Sequence, residues 1–74
     1  MTRNEQLEEL RQAMRQTKDK RLFERYQTVF LHLEGKNNIE IAAIIQRNRA
    51  TVGEYIKPYK KEGITGLRMD ISIV

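Results

Sequence analysis

The chain has 74 residues, no cysteine and one histidine, and its 14 lysines and arginines exceed its 10 acids to give a net charge of +4. This length allows one small domain with a thin core, and the lack of cysteine excludes a disulfide framework and a thiolate zinc finger. The apolar runs are far shorter than the roughly 20 residues that a membrane span requires. We therefore expect a cytoplasmic protein with a polyanionic partner, no membrane partner, and no cofactor, metal or small-molecule ligand.

The first predicted helix spans about Asn4 to Thr17, with acids in its first turns and arginines in its last, the order that the helix macrodipole favours. Its apolar residues form one stripe at helical spacing: Leu7, Leu10 and Met14. The second predicted helix spans about Asp19 to Glu34 and places most of its apolar residues on one side, whereas Leu31 falls on the opposite side. We therefore expect the first helix to pack over Leu31 and to belong to the domain.

The second predicted helix ends at Gly35, a residue that suits a left-handed cap. Two further helices, joined by a three-residue polar turn, are predicted between Asn37 and Glu62. Asn37 and Glu40 have the capping-box spacing, and Asn48 can cap the last of these helices. Small and apolar residues occur at the offsets that two steeply crossing helices need: Ile41, Ala42 and Ile45, then Val52, Tyr55 and Ile56. This layout is typical of a DNA-reading helix-turn-helix.

Three residues of this segment are unfavourable for the backbone predicted at their positions. Gln46 stands where the backbone of such turns needs a left-handed conformation, which glycine adopts more easily. Gly53 costs up to about 1 kcal/mol inside a helix, so either close approach of DNA or crowding by a neighbouring helix must justify it. Pro58 removes a helical hydrogen bond and clashes with the Glu54 carbonyl, so we predict a bend or break near Lys57.

The last segment follows Gly63, which is predicted to end the reading helix. Ile64 and Leu67 are expected to fold onto the core, and the alternation of Met69, Ile71 and Ile73 indicates extended chain. The sequence therefore predicts an all-α domain of about four helices over residues 1–67 and a short extended tail over residues 68–74. Strand pairing of Ile71, Ile73 and Val74 across a twofold axis would make a homodimer, whereas a tail that covers the core would leave a monomer.

Four short motifs follow one another along the chain: Leu-Glu-Gly, Glu-Ile-Ala, Arg-Ala-Thr-Val and Tyr-Lys-Lys-Glu-Gly-Ile-Thr-Gly-Leu. The ordered set, over about Glu5 to Leu67, resembles the N-terminal DNA-binding domain of mariner-like bacterial insertion-sequence transposases. The resemblance implies a homeodomain-like helix-turn-helix bundle that recognises the terminal inverted repeats of a mobile element. It brings no catalytic role, because the chain has only two aspartates and no nucleophile paired with a base. We therefore expect that it is not an enzyme.

The candidate DNA-binding residues lie in the turn and the reading helix, with two arginines in the second helix. They are Arg47, Asn48, Arg49, Ala50, Thr51, Gly53, Glu54, Lys57, Lys60, Lys61, Arg21 and Arg25. Arg49 suits guanine O6 and N7, and Asn48 suits an adenine or a phosphate. The lysines, Thr51, Arg47 and the two arginines of the second helix suit phosphates.

Each of these assignments has a simpler alternative. Asn48 could only cap its helix, Glu54 could only be solvated, and the lysines could only keep the domain soluble. Arg21 and Arg25 could pair with neighbouring acids. The aromatic residues are expected in the core: Phe23, Tyr26, Phe30 and Tyr55. For His32 we expect neither a ligand role nor a pH-switch role.

We interpret the chain as a sequence-specific binder of duplex DNA that acts as the recognition module, or a remnant, of a transposase and is associated with the nucleoid through DNA. One alternative is a stand-alone regulator of transcription, whose target would be a promoter. Another is a small helical protein-interaction module, which would show no salt-dependent DNA binding.

Overall fold

The computed structural model describes residues 2–72, and the side chains of residues 2–68. Within this part of the chain, helix α1 spans Arg3–Gln16, α2 spans Lys20–Leu33, α3 spans Asn38–Ile45, α4 spans Arg49–Glu62 and α5 spans Ile64–Ser72. The described residues form no strand, so the all-α prediction is confirmed. None of these helices is both long enough and apolar enough to cross a bilayer.

Polar caps set the starts of the first four helices. Asn37 and Glu40 form the predicted capping box at α3, and the Asn48 side chain caps α4 as predicted. Thr2 and Asp19 cap α1 and α2 in the same way. Each cap satisfies backbone N–H groups that have no partner inside the helix, which is why these local signals locate the helix starts closely.

Residues with positive φ set the ends of three helices. Gln46 has φ 59° and ψ 45° at the end of α3, which is the conformation that the sequence predicted for the turn. The backbone N–H of Arg47 then donates to the Ala42 carbonyl at 3.0 Å. Gly35 and Gly63 have φ values of 102° and 72° where α2 and α4 end, in agreement with the sequence prediction.

The core forms between α2, α4 and α5, and α1 and α3 close it from the sides. Its fully buried apolar side chains come from every helix: Leu10, Val29, Ile41, Val52 and Leu67. Helix α1 packs along α2, where the Arg11 guanidinium carbon lies 5.6 Å from the centroid of the Phe30 ring. Leu31 is partly buried against the core and α1 packs on α2, so α1 belongs to the domain as predicted, whereas the contact of α1 with Leu31 stays a prediction. Phe23, which was expected in the core, is instead 42% exposed.

The predicted extended tail is wrong over residues 68–72, because α5 continues to Ser72. Leu67 is fully buried and Ile64 packs against the core one helical turn earlier, so one face of a helix is anchored here. This packing outweighs the alternating pattern, since tertiary contacts routinely override local preference. Ile71 is helical and does not form the strand predicted for a homodimer, while residues 73–74 lie outside the described part of the chain.

Helix α4 runs unbroken past Pro58, so of the bend or break predicted near Lys57 the break does not occur, and the bend stays a prediction. The carbonyl that loses its helical partner belongs to Glu54, which is exposed and accessible to water. Helix α5 also packs closely on this part of α4. A Cβ on Gly66 would lie 2.5 Å from the Pro58 carbonyl oxygen, so only glycine fits at this contact.

Candidate nucleic-acid interface

Helices α3 and α4 pack against each other and against α2, with the left-handed turn between them. Helix α4 buries Val52, Ile56 and Tyr59, and the opposite face is turned to solvent. That outward face carries half of the candidate residues: Arg49, Ala50, Glu54, Lys57, Lys60 and Lys61. With four cations and one acid, it is the kind of surface that attracts a polyanion.

Asn48 is exposed beside this face, but its side-chain oxygen is occupied by the cap. Asn48 Oδ1 accepts from the backbone N–H of Thr51 at 2.9 Å and from the Thr51 hydroxyl at 3.1 Å. The capping role that the sequence offered as the simpler alternative is therefore present. A contact of Asn48 with DNA that keeps the cap would use its amide nitrogen, which is a donor and suits a phosphate oxygen or a base acceptor.

A carboxylate of α2 connects the turn to α4. Arg47 Nε donates to Glu24 Oε1 at 3.2 Å, and the Tyr55 hydroxyl donates to Glu24 Oε2 at 2.7 Å. The Arg25 guanidinium carbon lies 5.1 Å from the centroid of the Tyr55 ring. Burial, and then the hydrogen bond to Glu24, raise the pKa of Tyr55 above its usual value. We call this group of residues, Glu24, Arg25, Arg47 and Tyr55, the tied flank of α4.

The tied flank changes the interpretation of two predicted DNA contacts. Arg47 and Arg25 both hold α2, the turn and α4 together, and Arg47 still exposes about half of its side chain (54%). Sequence reasoning missed Glu24, whose side chain is only 19% exposed. The available signal was that Glu24 is the one acid within α2. Arg21, in the first turn of the same helix, is exposed and stays a candidate for phosphate contact.

A cavity of about 280 Å³ opens on the other side of α4, between the end of α2 and the start of α3. Its lining residues are His32, Asn38, Gly53, Ile56, Lys57 and Lys60. Apart from its chain neighbours and the backbone of α4 itself, no heavy atom of the described residues lies within 4 Å of the position that a Cβ on Gly53 would take, so crowding by a neighbouring helix is excluded. We call the residues that line this cavity the open flank of α4. Sequence reasoning passed over Asn38 and expected no ligand role for His32, because neither residue belongs to a recognisable motif.

The environment of His32 on the open flank disfavours its protonated form. Partial burial, followed by the positive charge of Lys60, lowers the pKa of His32 from its usual value near 6.5. None of the described residues that line the cavity is acidic, so no carboxylate among them offsets this effect. The imidazole is therefore mainly neutral at pH 7.

A second cavity, of about 200 Å³, lies at the corner between α1 and α2 and is lined by Thr17, Lys18, Asp19, Lys20 and Phe23. It explains the exposed ring of Phe23, which borders this opening. Among the described residues, no group of three or more His, Cys, Asp or Glu side chains is placed to hold a metal ion.

Comparison with known families gives one match, over residues 23–72, to the family described as "Putative ATPase subunit of terminase (gpP-like)". The match covers more than half of the chain and includes α3, the turn and α4. Neither the curated proteins nor the solved structures gave a match. The comparison supports the expected DNA-related helix-turn-helix family but not the resemblance to mariner-like transposases.

Proposed function

The chain belongs to the gpP-like terminase ATPase-subunit family, and on this premise we propose that it binds duplex DNA sequence-specifically through α3, the turn and α4. Terminases package DNA, so the family match supports a DNA-binding role in packaging. The observation that carries the proposal is the outward face of α4, where Arg49, Lys57, Lys60 and Lys61 are exposed and outnumber the exposed acids of the helix, Glu54 and Glu62.

In this proposal, α4 enters the major groove, which is about 12 Å wide and admits one helix. Arg49 lies in the first turn of α4, where a guanidinium can donate two hydrogen bonds to guanine O6 and N7. The three lysines lie further along α4 and neutralise phosphates on either side of the groove. Base contacts would then specify the site, and phosphate contacts would fix the position of the helix.

The tied flank supports this mode of binding by fixing the orientation of α4. The hydrogen bonds from Arg47 and Tyr55 to Glu24 join the turn and the reading helix to α2. A reading helix held in this way loses little conformational freedom when it binds.

We further propose that these residues bind DNA without performing chemistry. The sequence contains no Gly-rich phosphate loop and no nucleophile paired with a base, so the ATPase activity in the family description is not assigned to them. Regulation of transcription through the same surface is the second candidate function. It uses the same reading face and differs only in the DNA site that is bound.

The proposal is tested by titrating the fluorescently labelled duplexes of a randomised pool with the protein, at two salt concentrations, and then repeating the titration with enriched sequences. Enrichment of one site together with steep salt dependence would support a sequence reader. Comparison of that site with packaged DNA, promoters and terminal repeats would separate the candidate roles. Absence of binding at low salt would reject DNA recognition and favour a protein-interaction module.

A further inference from the structure

We propose that the cavity on the open flank is a seat for one phosphate group of the DNA backbone, bracketed by Lys57 and Lys60 and faced by His32. This inference rests on the proposed function, because it assumes that α4 binds duplex DNA. It adds the point of closest approach and two residues, His32 and Asn38, that the sequence did not assign to binding.

Gly53 lies inside α4 and lines the cavity. Glycine in the middle of a helix is unfavourable because it loses more backbone freedom than other residues when the helix forms. Its usual justification is a crowded neighbour, as at Gly66, yet the space above Gly53 is open for 4 Å. The missing side chain exposes the backbone of α4 at the floor of the cavity, so a ligand can approach the helix more closely here than at a residue with a side chain.

The charged side chains that line the cavity favour an anion. Lys57 and Lys60 follow Gly53 by four and seven residues, so all three lie on one side of α4. Both lysines are exposed and line the cavity, and the amide side chain of Asn38 adds a neutral donor at the start of α3. With no acid among the described lining residues, the cavity suits an anion better than the face of a base.

The volume of the cavity also bears on the class of ligand. About 280 Å³ is more than one phosphate group fills, and it leaves room for part of the adjoining sugar. An isolated ion would be loosely held in such a cavity, whereas a phosphate within a DNA strand is positioned by the contacts of its neighbours. The ligand class that fits is therefore a backbone phosphodiester.

His32, the single histidine of the chain, also lines the cavity. In the free protein, burial and the charge of Lys60 lower its pKa. A bound phosphate anion would stabilise the imidazolium and raise that pKa in the complex. Binding would then take up a proton, so the affinity for DNA should rise as the pH falls from the raised pKa of the complex to the lowered pKa of the free protein.

The decisive variant is Gly53→Ala. Alanine favours the helix and meets no neighbour in the free protein, so the Tm should rise by about 4–8 °C. The same methyl group would obstruct the seat, and the affinity for duplex DNA should fall about tenfold, as expected for the loss of one charge-assisted contact. A gain in stability with a loss of binding cannot come from misfolding.

Two neighbouring lysines provide a matched control, because Lys60 lines the cavity and Lys61 does not. Lys60→Ala should weaken duplex binding more than Lys61→Ala and should also change its pH dependence, since Lys60 acts on His32. Lys61→Ala should weaken all sequences alike and flatten the salt slope by about one unit. His32→Gln should abolish the several-fold rise in affinity with falling pH that is expected of the wild type around the usual histidine pKa of about 6.5.

The outcomes separate the two proposals. Failure of the wild type to bind the duplex pool at low salt would overturn the proposed function and the phosphate seat with it. If the wild type binds with steep salt dependence, equal affinities of the wild type and Gly53→Ala would overturn the phosphate seat alone. A pH response that persists in His32→Gln would do the same.

Discussion

The two flanks of α4 carry cations in different states. On the tied flank, Arg47 is bound by Glu24 at 3.2 Å and Arg25 lies over the ring of Tyr55. On the open flank, Lys57 and Lys60 border a cavity that has no acid among its described lining residues. A count of charges along the sequence treats the four cations alike, whereas the fold separates those that hold helices together from those that face solvent.

This difference shows why net charge alone does not locate a binding surface. A cation that already has a carboxylate partner must give up that contact before it binds a phosphate, so its net gain is small. A cation beside an open cavity loses only its hydration. We therefore expect variants of the tied flank to change stability first, and variants of the outward face and the open flank to change binding first.

The largest effect is expected from Ile41→Ala, which removes a fully buried core side chain of α3. Such a substitution costs about 2–5 kcal/mol. A domain of this size has only about 3–5 kcal/mol of stability, so the variant should be largely unfolded already without urea. A urea titration would then show no cooperative transition. Ile41→Val should cost only about 0.5–1.5 kcal/mol. An Ile41→Ala protein as stable as the wild type would contradict the burial of Ile41 in the core.

Glu24→Ala is expected to destabilise the tied flank by about 1–3 kcal/mol, because it removes the acceptor for both Arg47 and Tyr55. The free energy of unfolding in urea measures this loss. The same variant should bind random duplex DNA more tightly, since Arg47 is released and one negative charge is removed. Glu24→Gln retains an acceptor and should be less destabilised. If Glu24→Ala were as stable as the wild type, the tied flank would not be a structural feature.

Arg49→Ala is expected to weaken binding to an enriched site by roughly 1–3 kcal/mol and to relax the preference at one base pair. Arg47→Ala is the matched comparison two residues away, and it should lower stability while changing DNA affinity less. Titrations against enriched and random duplexes would measure both effects. Equal losses of DNA affinity in the two variants would remove the distinction between bound and exposed cations.

The smallest effect is expected from Tyr55→Phe, which removes one hydrogen bond to Glu24 and about 0.5–1.5 kcal/mol of stability. The pKa of Tyr55 is raised by burial and by Glu24, so its protonated form is favoured in the folded state. The resulting stability is present below the unfolded pKa of about 10 and is lost as the pH rises through the folded pKa. Unfolding measured across this alkaline window should show a shallower loss in Tyr55→Phe.

Part of the alkaline loss should remain in Tyr55→Phe. Burial, and then the charge of Glu9, also raise the pKa of Tyr59, which therefore contributes stability in the same direction. If the free energy of unfolding fell as steeply with rising pH in Tyr55→Phe as in the wild type, Tyr55 would not contribute to the alkaline loss of stability.

The sequence predicted the features that depend on neighbouring residues. The capping box of Asn37 and Glu40 and the left-handed Gln46 are decided within four residues, and both are present. The pairing of Glu24 with Arg47 joins residues 23 positions apart, so no local pattern indicates it. The helix α5 was missed for a related reason. Its anchor is the burial of Leu67 against other helices, which competes successfully with a local alternation.

Gly53 is the clearest case in which the sequence alone does not decide between two explanations. The residue itself indicated a special position, but crowding and ligand approach both explain a helical glycine equally well. Only the space around its missing Cβ separates the two explanations. The predicted site residues on the outward face of α4 are exposed as DNA contact requires, and their base and phosphate contacts stay predictions.

The most direct test of the account is the salt dependence of duplex binding by the wild type and by Arg47→Ala. If the exposed cations of α4 bind phosphates, log affinity should fall linearly with log salt concentration, by about 0.9 for each phosphate neutralised. Three lysines would give a slope of roughly −2.7, and Arg47→Ala should leave that slope nearly unchanged. An affinity that does not depend on salt, or no binding at low salt, would contradict the account.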